Sequence, residues 1–143
     1  MQAQMLAPAA VLIAWTLVML FWLAGSRFPA LAKQGRTLSN APVGARGQDS
    51  EEDLPAAVNW KSHNYAHLVE QPTVFYAAVV IIAMIGSTAG DHLAAWIYVG
   101  LRIVHSVWQA TVNTLPVRFS LFLISTFVLV YLAYRAISLT LLG

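Results

Sequence analysis

The stretch Leu93-Ala-Ala-Trp-Ile-Tyr98-Val-Gly-Leu-Arg102-Ile-Val-His105-Ser-Val-Trp-Gln109-Ala-Thr-Val-Asn113 decides how the rest of the chain is read. It is long enough to cross a bilayer as a helix, yet it carries an arginine, a histidine and two carboxamides. At about 100° per residue, Tyr98, Arg102, His105, Gln109 and Asn113 fall within an arc of roughly 80° on one helix face. One stripe is polar and the remainder is apolar. An arginine at membrane depth is costly unless the protein pairs with it, so Arg102 marks a functional position.

The composition agrees with that reading. Of 143 residues, 59% are hydrophobic and only 10% charged, and the mean hydropathy is +0.66. These values describe an integral membrane protein and not a soluble domain. The formal net charge is +2, and the basic residues lie at the ends of apolar segments. There they orient helices and form no nucleic-acid patch, so nucleic acid is excluded as a partner. The chain has no cysteine, which excludes disulfides, thiolate metal sites and a cysteine nucleophile. Any thiol chemistry must use a thiol brought by a substrate.

A span needs about 20 mostly apolar residues. Four segments qualify, at about 6–25, 60–86, 93–113 and 118–142. The first lacks a basic leader and a clean cleavage site and is read as a retained anchor helix. Arg27, Lys33, Arg36, Arg46 and Lys61 lie in or beside the first connection and Arg118 in the third, whereas residues 87–92 hold no Lys or Arg. The excess of basic residues marks the cytoplasmic side, so both termini are expected on the far side. Arg135 opposes this and is expected to snorkel to the headgroups. Loop 27–59, rich in Gly, Pro, Ser and charge, is expected to be disordered or a loose cap. Trp60, Trp96, Tyr98 and Trp108 fit an interfacial aromatic belt, and His92 is expected in solvent.

The second segment carries a matching polar face. Trp60, His63, His67 and Glu70 span roughly 80° at helical spacing, with Asn64 a little further round. Pro72 then frees the carbonyl of Leu68 and bends the axis beside this cluster. Glu70 lies about 15 Å from its inner helix end and Arg102 about 16 Å from its own. The two are expected to meet as an ion pair, because an unpaired charge there costs on the order of 3 kcal/mol. By the same count His67 falls near His105 or Gln109, and His63 near Asn113. A polar column, open to the cytoplasm and closed toward the far side, is the expected site.

The segment Asn64-Tyr-Ala-His-Leu-Val-Glu70-Gln-Pro-Thr-Val-Phe75-Tyr76, with Tyr98-Val-Gly-Leu-Arg102-Ile-Val-His105-Ser, Asn113 and Arg118-Phe119, resembles the MAPEG family, the membrane-associated proteins in eicosanoid and glutathione metabolism. It looks most like the small bacterial members with a Glu-x-Pro-x-x-Phe-Tyr pattern on the second helix. The resemblance implies a single transmembrane domain over residues 1–143, an all-α left-handed four-helix bundle assembled as a homotrimer in the inner membrane. It further implies a glutathione site between subunits near the cytoplasmic face. Carried over by position, Glu70 matches the family's second-helix glutamate and Arg102 a third-helix arginine. Arg118 stands where an arginine stabilises the thiolate. His63 and His67 occupy the positions of a second-helix arginine and asparagine, and His105 and Gln109 those of third-helix tyrosines.

The chemistry implied is that of a glutathione transferase or a peroxidase-like enzyme, conjugating or reducing a lipophilic substrate that arrives through the lipid. Glutathione carries two carboxylates and a thiol, so its site needs cationic donors and a group that lowers the thiol pKa. Arg118, Arg102 and His105 are the expected catalytic groups. His63, Asn64, His67, Glu70, Arg102, Gln109 and Asn113 are the expected glutathione contacts. Two other readings stand beside this one. In the first, the protein is a non-catalytic membrane subunit whose polar residues only join helices. In the second, His63, His67, Glu70 and His105 hold a transition metal.

Overall fold

The computed structural model describes residues 2–143, which are helical with no strand among them. α1 covers Gln2–Lys33, α2 Ala56–Glu70, α3 Pro72–Ile85, α4 Ala89–Thr111 and α5 Leu115–Leu141. α2 and α3 form one rod, because Gln71 between them keeps helical angles (φ −60°, ψ −40°). The ladder breaks there because Pro72 has no N–H to give to the Leu68 carbonyl. The result is a four-rod bundle. α1, the α2/α3 rod and α5 are each long and apolar enough to cross a membrane. α4 is the rod with the polar stripe. α1 packs on α2, α3 and α4, while α5 packs on α3 and α4, so α2/α3 and α4 form the central pair.

The core sits between these rods. Met5, Leu12, Phe75, Val79, Ile82, Val99 and Leu132 are buried, with Ala78, Ala83, Ala94 and Ala95 where the helices approach closely. Small residues at such contacts let backbones pack without a solvent-driven core. The outside is apolar as well: Phe21, Phe119, Phe127, Val130 and Ile137 are all exposed. Such a surface is suited to acyl chains and not to water.

Several boundaries differ from the sequence expectation: α2 begins at Ala56 and α5 at Leu115, each a few residues early, and three others have a visible local cause. α1 runs eight residues past Gly25, to Lys33. The helix continues through Pro29 into the good helix formers Ala30 to Lys33, and the stop is Gly35, whose φ of 70° closes the last turn. α4 starts at Ala89, where Thr88 and Asp91 cap each other: the Thr88 N–H donates to Asp91 Oδ2 at 2.9 Å and the Asp91 N–H to Thr88 Oγ1 at 3.3 Å. α4 ends at Thr111, and Asn113, the expected last member of the stripe, lies outside it in the left-handed region (φ 57°). Asparagine tolerates that conformation.

The long connection forms an ordered cap. Arg27, on the part of α1 beyond the apolar span, donates to Ser62 Oγ at 3.1 Å, to Ser50 Oγ at 3.2 Å and to the Gly47 carbonyl. Arg36 pairs with Asp53 at 2.6 Å. The Arg46 backbone N–H, donating to Asp49, holds that carboxyl below the usual carboxylate range. Asn59 Nδ2 donates to the Glu51 carbonyl at 2.7 Å.

At the opposite end Asp91 is fully buried. Its carboxylate accepts from Arg135 Nε at 2.9 Å, Arg135 Nη2 at 3.1 Å and Tyr131 OH at 3.1 Å. Arg135 therefore does not snorkel freely. It clamps α5 to the start of α4.

Candidate functional site

The stripe on α4 faces inward, as its spacing requires. Tyr98, Arg102, His105 and Gln109 are each at most 2% exposed. Tyr98 consequently leaves the aromatic belt expected for it and stacks on Phe75 of α3, with ring centroids 4.4 Å apart. Ser106, beside the stripe, accepts a hydrogen bond from Trp15 Nε1 of α1 at 3.0 Å.

Arg102 does not pair with Glu70. Arg102 Nη2 donates to the His67 carbonyl at 2.8 Å and Nη1 to Gln71 Oε1 at 3.3 Å. Tyr98 OH donates to the same Gln71 oxygen at 3.3 Å, and Gln71 Nε2 donates to Thr126 Oγ1 of α5 at 2.8 Å. Gln71 thus joins three rods at the proline break. Among the described residues no carboxylate lies within ion-pair distance of Arg102. Neutral oxygens carry its charge, and one of its nitrogens, Nε, has no partner.

The reason is rotational. Counted from His67 at about 100° per residue, the buried Asn64, Phe75 and Leu68 point at roughly 60° to 100°, whereas His63 and Glu70 point at roughly −40° and −60°. The polar arc expected on α2 exists, but its inward edge is Asn64 and Gln71. Its other edge, Glu70 and His63, faces outward, and both are exposed. His63 Nε2 contacts Glu51 of the cap at 3.1 Å, so it does not approach Asn113.

The expected meeting of His67 with the lower part of the α4 stripe does occur. His67 Nδ1 donates to Gln109 Oε1 at 2.9 Å, and the His67 and His105 ring centroids are 6.1 Å apart. Asn113 Oδ1 accepts from Arg118 Nη1 at 2.6 Å, which places both at the α4–α5 turn, half-buried. Asn64 is 1% exposed, and neither of its side-chain polar atoms has a partner.

The three histidines and Glu70 do not converge. Among the described residues no group of three or more metal-binding side chains is assembled. His63 is held by the cap and Glu70 faces out, so the tetrad proposed for a transition metal is split over two faces of α2. Sequence reasoning missed Gln71 and Thr126, because neutral side chains draw less notice than charges. The signal for Gln71 was its place just before Pro72, where the helix ladder opens. It also missed Asp91 as a buried partner of Arg135. The Thr88-x-x-Asp91 spacing was the legible cue.

The arrangement can hold a cation away from water, hold two imidazoles near it, and present a carboxylate and a half-buried arginine on its outer edge. No curated protein and no solved structure matches the chain. The MAPEG family model, however, matches residues 5–138 and so reaches into all four rods, and the chain belongs to the MAPEG family.

Proposed function

We propose that this multi-pass membrane protein assembles as a homotrimer and binds glutathione or a related thiol in a cleft between subunits. The cleft faces the cytoplasm, with both termini on the opposite side of an inner membrane. A lipophilic substrate arriving through the lipid is conjugated or reduced there. The observation that carries this reading is Glu70. Its carboxylate is exposed in the middle of the α2/α3 rod, where an unpaired charge facing lipid costs about 3 kcal/mol even on the lenient insertion scale. A second copy of the chain, a ligand ammonium, or both together remove that cost.

The residues divide by depth. Glu70, His63, His67, Asn113 and Arg118 lie where a ligand can touch them. Glu70 suits the ammonium of the tripeptide, and His63 and Arg118 suit its carboxylates and thiolate. Arg118 favours loss of the thiol proton to water. In conjugation the thiolate sulfur forms a bond to the electrophilic carbon while the bond to the leaving group breaks and its electron pair departs with that group; in reduction of a hydroperoxide a second thiol is consumed, giving the disulfide, the alcohol and water. Arg102, His105, Gln109 and Asn64 are covered by their own chain. They act as positioning residues that hold the α2–α4 wall and the His67 ring.

That burial also favours a second reading, in which the polar network only joins helices in a non-catalytic scaffold. Thermal unfolding in detergent with and without millimolar glutathione separates the two. On the first reading the ligand raises the midpoint of the wild-type protein and not of Glu70→Gln. Absence of a shift in the wild type favours the scaffold.

A further inference from the structure

Between α2 and α4 the chain buries polar atoms that it does not itself satisfy. Among the described residues Asn64 Oδ1, Asn64 Nδ2 and Arg102 Nε have no partner, and both residues are 1% exposed. Buried groups of this kind are almost always hydrogen-bonded, so each needs a partner from outside the chain's own side chains. His67 uses Nδ1 on Gln109, so its Nε2 is free of that bond. The 2% exposed His105 ring, 6.1 Å away, takes no part in that network. Asn64 lies about one turn before His67 on α2, and Arg102 Nη2 donates to the His67 carbonyl. The levels of Asn64 and Gln71, which bracket His67, are about 10 Å apart along α2.

What satisfies these atoms is constrained by their enclosure. Asn64, Arg102 and His105 are covered by their own chain, so a neighbouring subunit, a tripeptide or a lipid does not reach them. A metal cation is disfavoured by the adjacent guanidinium. Asn64 asks for a donor and an acceptor at once, and Arg102 Nε asks for an acceptor. Water satisfies all three, and a site with several polar partners is where buried water is held.

We propose that Asn64, His67, His105 and Arg102 Nε enclose a short row of bound water molecules inside the chain. The row solvates the Arg102 guanidinium in place of a carboxylate, and it links the two imidazoles by a path along which a proton can move. The hydration site shares His67 with the outer edge of α2, but Asn64 and Arg102 are covered by their own chain whether or not a thiol binds there.

Solid-state NMR of the full chain in phosphatidylcholine bilayers tests it through magnetisation transfer from water. Asn64 Nδ2 and Arg102 Nε should receive transfer, while the backbone amides of the core residues Val79 and Val99 stay dry. Asn64→Leu fills the lower end and should cut transfer to Arg102 Nε severalfold. Asn64→Ser leaves room and a hydroxyl, and should retain it. Transfer to Asn64 and Arg102 no greater than to Val99 overturns the proposal. So does an Arg102 Nε signal that shifts when chloride is exchanged for gluconate, since a small anion would then occupy the place assigned to water. If Asn64→Leu does not fold, the wild-type transfer and the Asn64→Ser variant decide the matter.

Discussion

Arg102 Nη2 and the His67 carbonyl are 2.8 Å apart, across the gap between the two central rods and one turn before Pro72. The contact replaces a carboxylate with a backbone oxygen, and the guanidinium is held by shape and hydrogen bonds, with no ion pair. Removing the charge while keeping the bulk should therefore cost little. Replacing a buried charge by an apolar side chain of similar size is often neutral or favourable. Arg102→Met is expected to unfold in detergent within about 1 kcal/mol of the wild type. Arg102→Ala, which empties one of the largest buried side chains, should lose about 2 to 5 kcal/mol. Equal losses in both variants would mean that the charge itself holds the rods.

Glu70 gives the converse expectation. Among the described residues it has no ion-pair partner, so Glu70→Gln should leave the unfolding of the isolated chain within about 0.5 kcal/mol of wild type. The same substitution should lower the fraction of trimer seen by cross-linking in bilayers and abolish the glutathione-dependent rise in midpoint. A large loss of stability in the monomeric chain would place a partner for Glu70 inside the bundle.

How far the sequence reached can be followed along these residues. The α4 stripe was legible because four side chains at helical spacing in an apolar run have only one way to be buried. The α2 face was legible as an arc, but an 80° arc does not say which of its edges points inward. That depends on Phe75 and Leu68, apolar residues whose burial fixes the rotation of the rod. Choosing Glu70 over Gln71 followed charge, and packing chose the amide. The far-end clamp escaped notice because Asp91 and Arg135 are 44 residues apart, and each alone has an ordinary explanation as a turn residue or a snorkelling base. The fold class and the family stood on firmer ground, since hydrophobicity and the long match are properties of the whole chain.

The Asp91 clamp should be a principal source of stability at its end of the bundle. Asp91 is fully buried while the Arg135 side chain is 23% exposed, so the carboxylate is the costlier partner to remove. Asp91→Asn removes the ion pair and weakens the Thr88 cap, and is expected to cost about 2 to 4 kcal/mol, below the full range for a wholly buried pair. Arg135→Gln alone leaves a buried carboxylate with only Tyr131 and Thr88, and should cost a comparable amount. The double variant should be less damaged than the sum of the two, and a double-mutant cycle on the unfolding free energies reads that coupling. Additive losses would show that the two side chains act separately.

The cap makes a prediction that the membrane part does not. Arg27 ties α1 to Gly47, Ser50 and Ser62, so Arg27→Ala removes two hydrogen bonds that hold residues 47–50 against α1 and a third that joins α1 to α2. The bundle core is remote from these contacts and its unfolding midpoint should barely change. Local opening of the connection should become easier, because few buried apolar contacts besides Leu54 secure it. Trypsin added to the cap side of reconstituted vesicles should then cut after Arg36 and Arg46 severalfold faster than in the wild type. Arg36→Ala, which breaks only the exposed pair with Asp53, should have the smaller effect on cleavage after Arg46. An unchanged cleavage rate in Arg27→Ala would assign the hold on the cap to Asn59 and its bond to the Glu51 carbonyl instead.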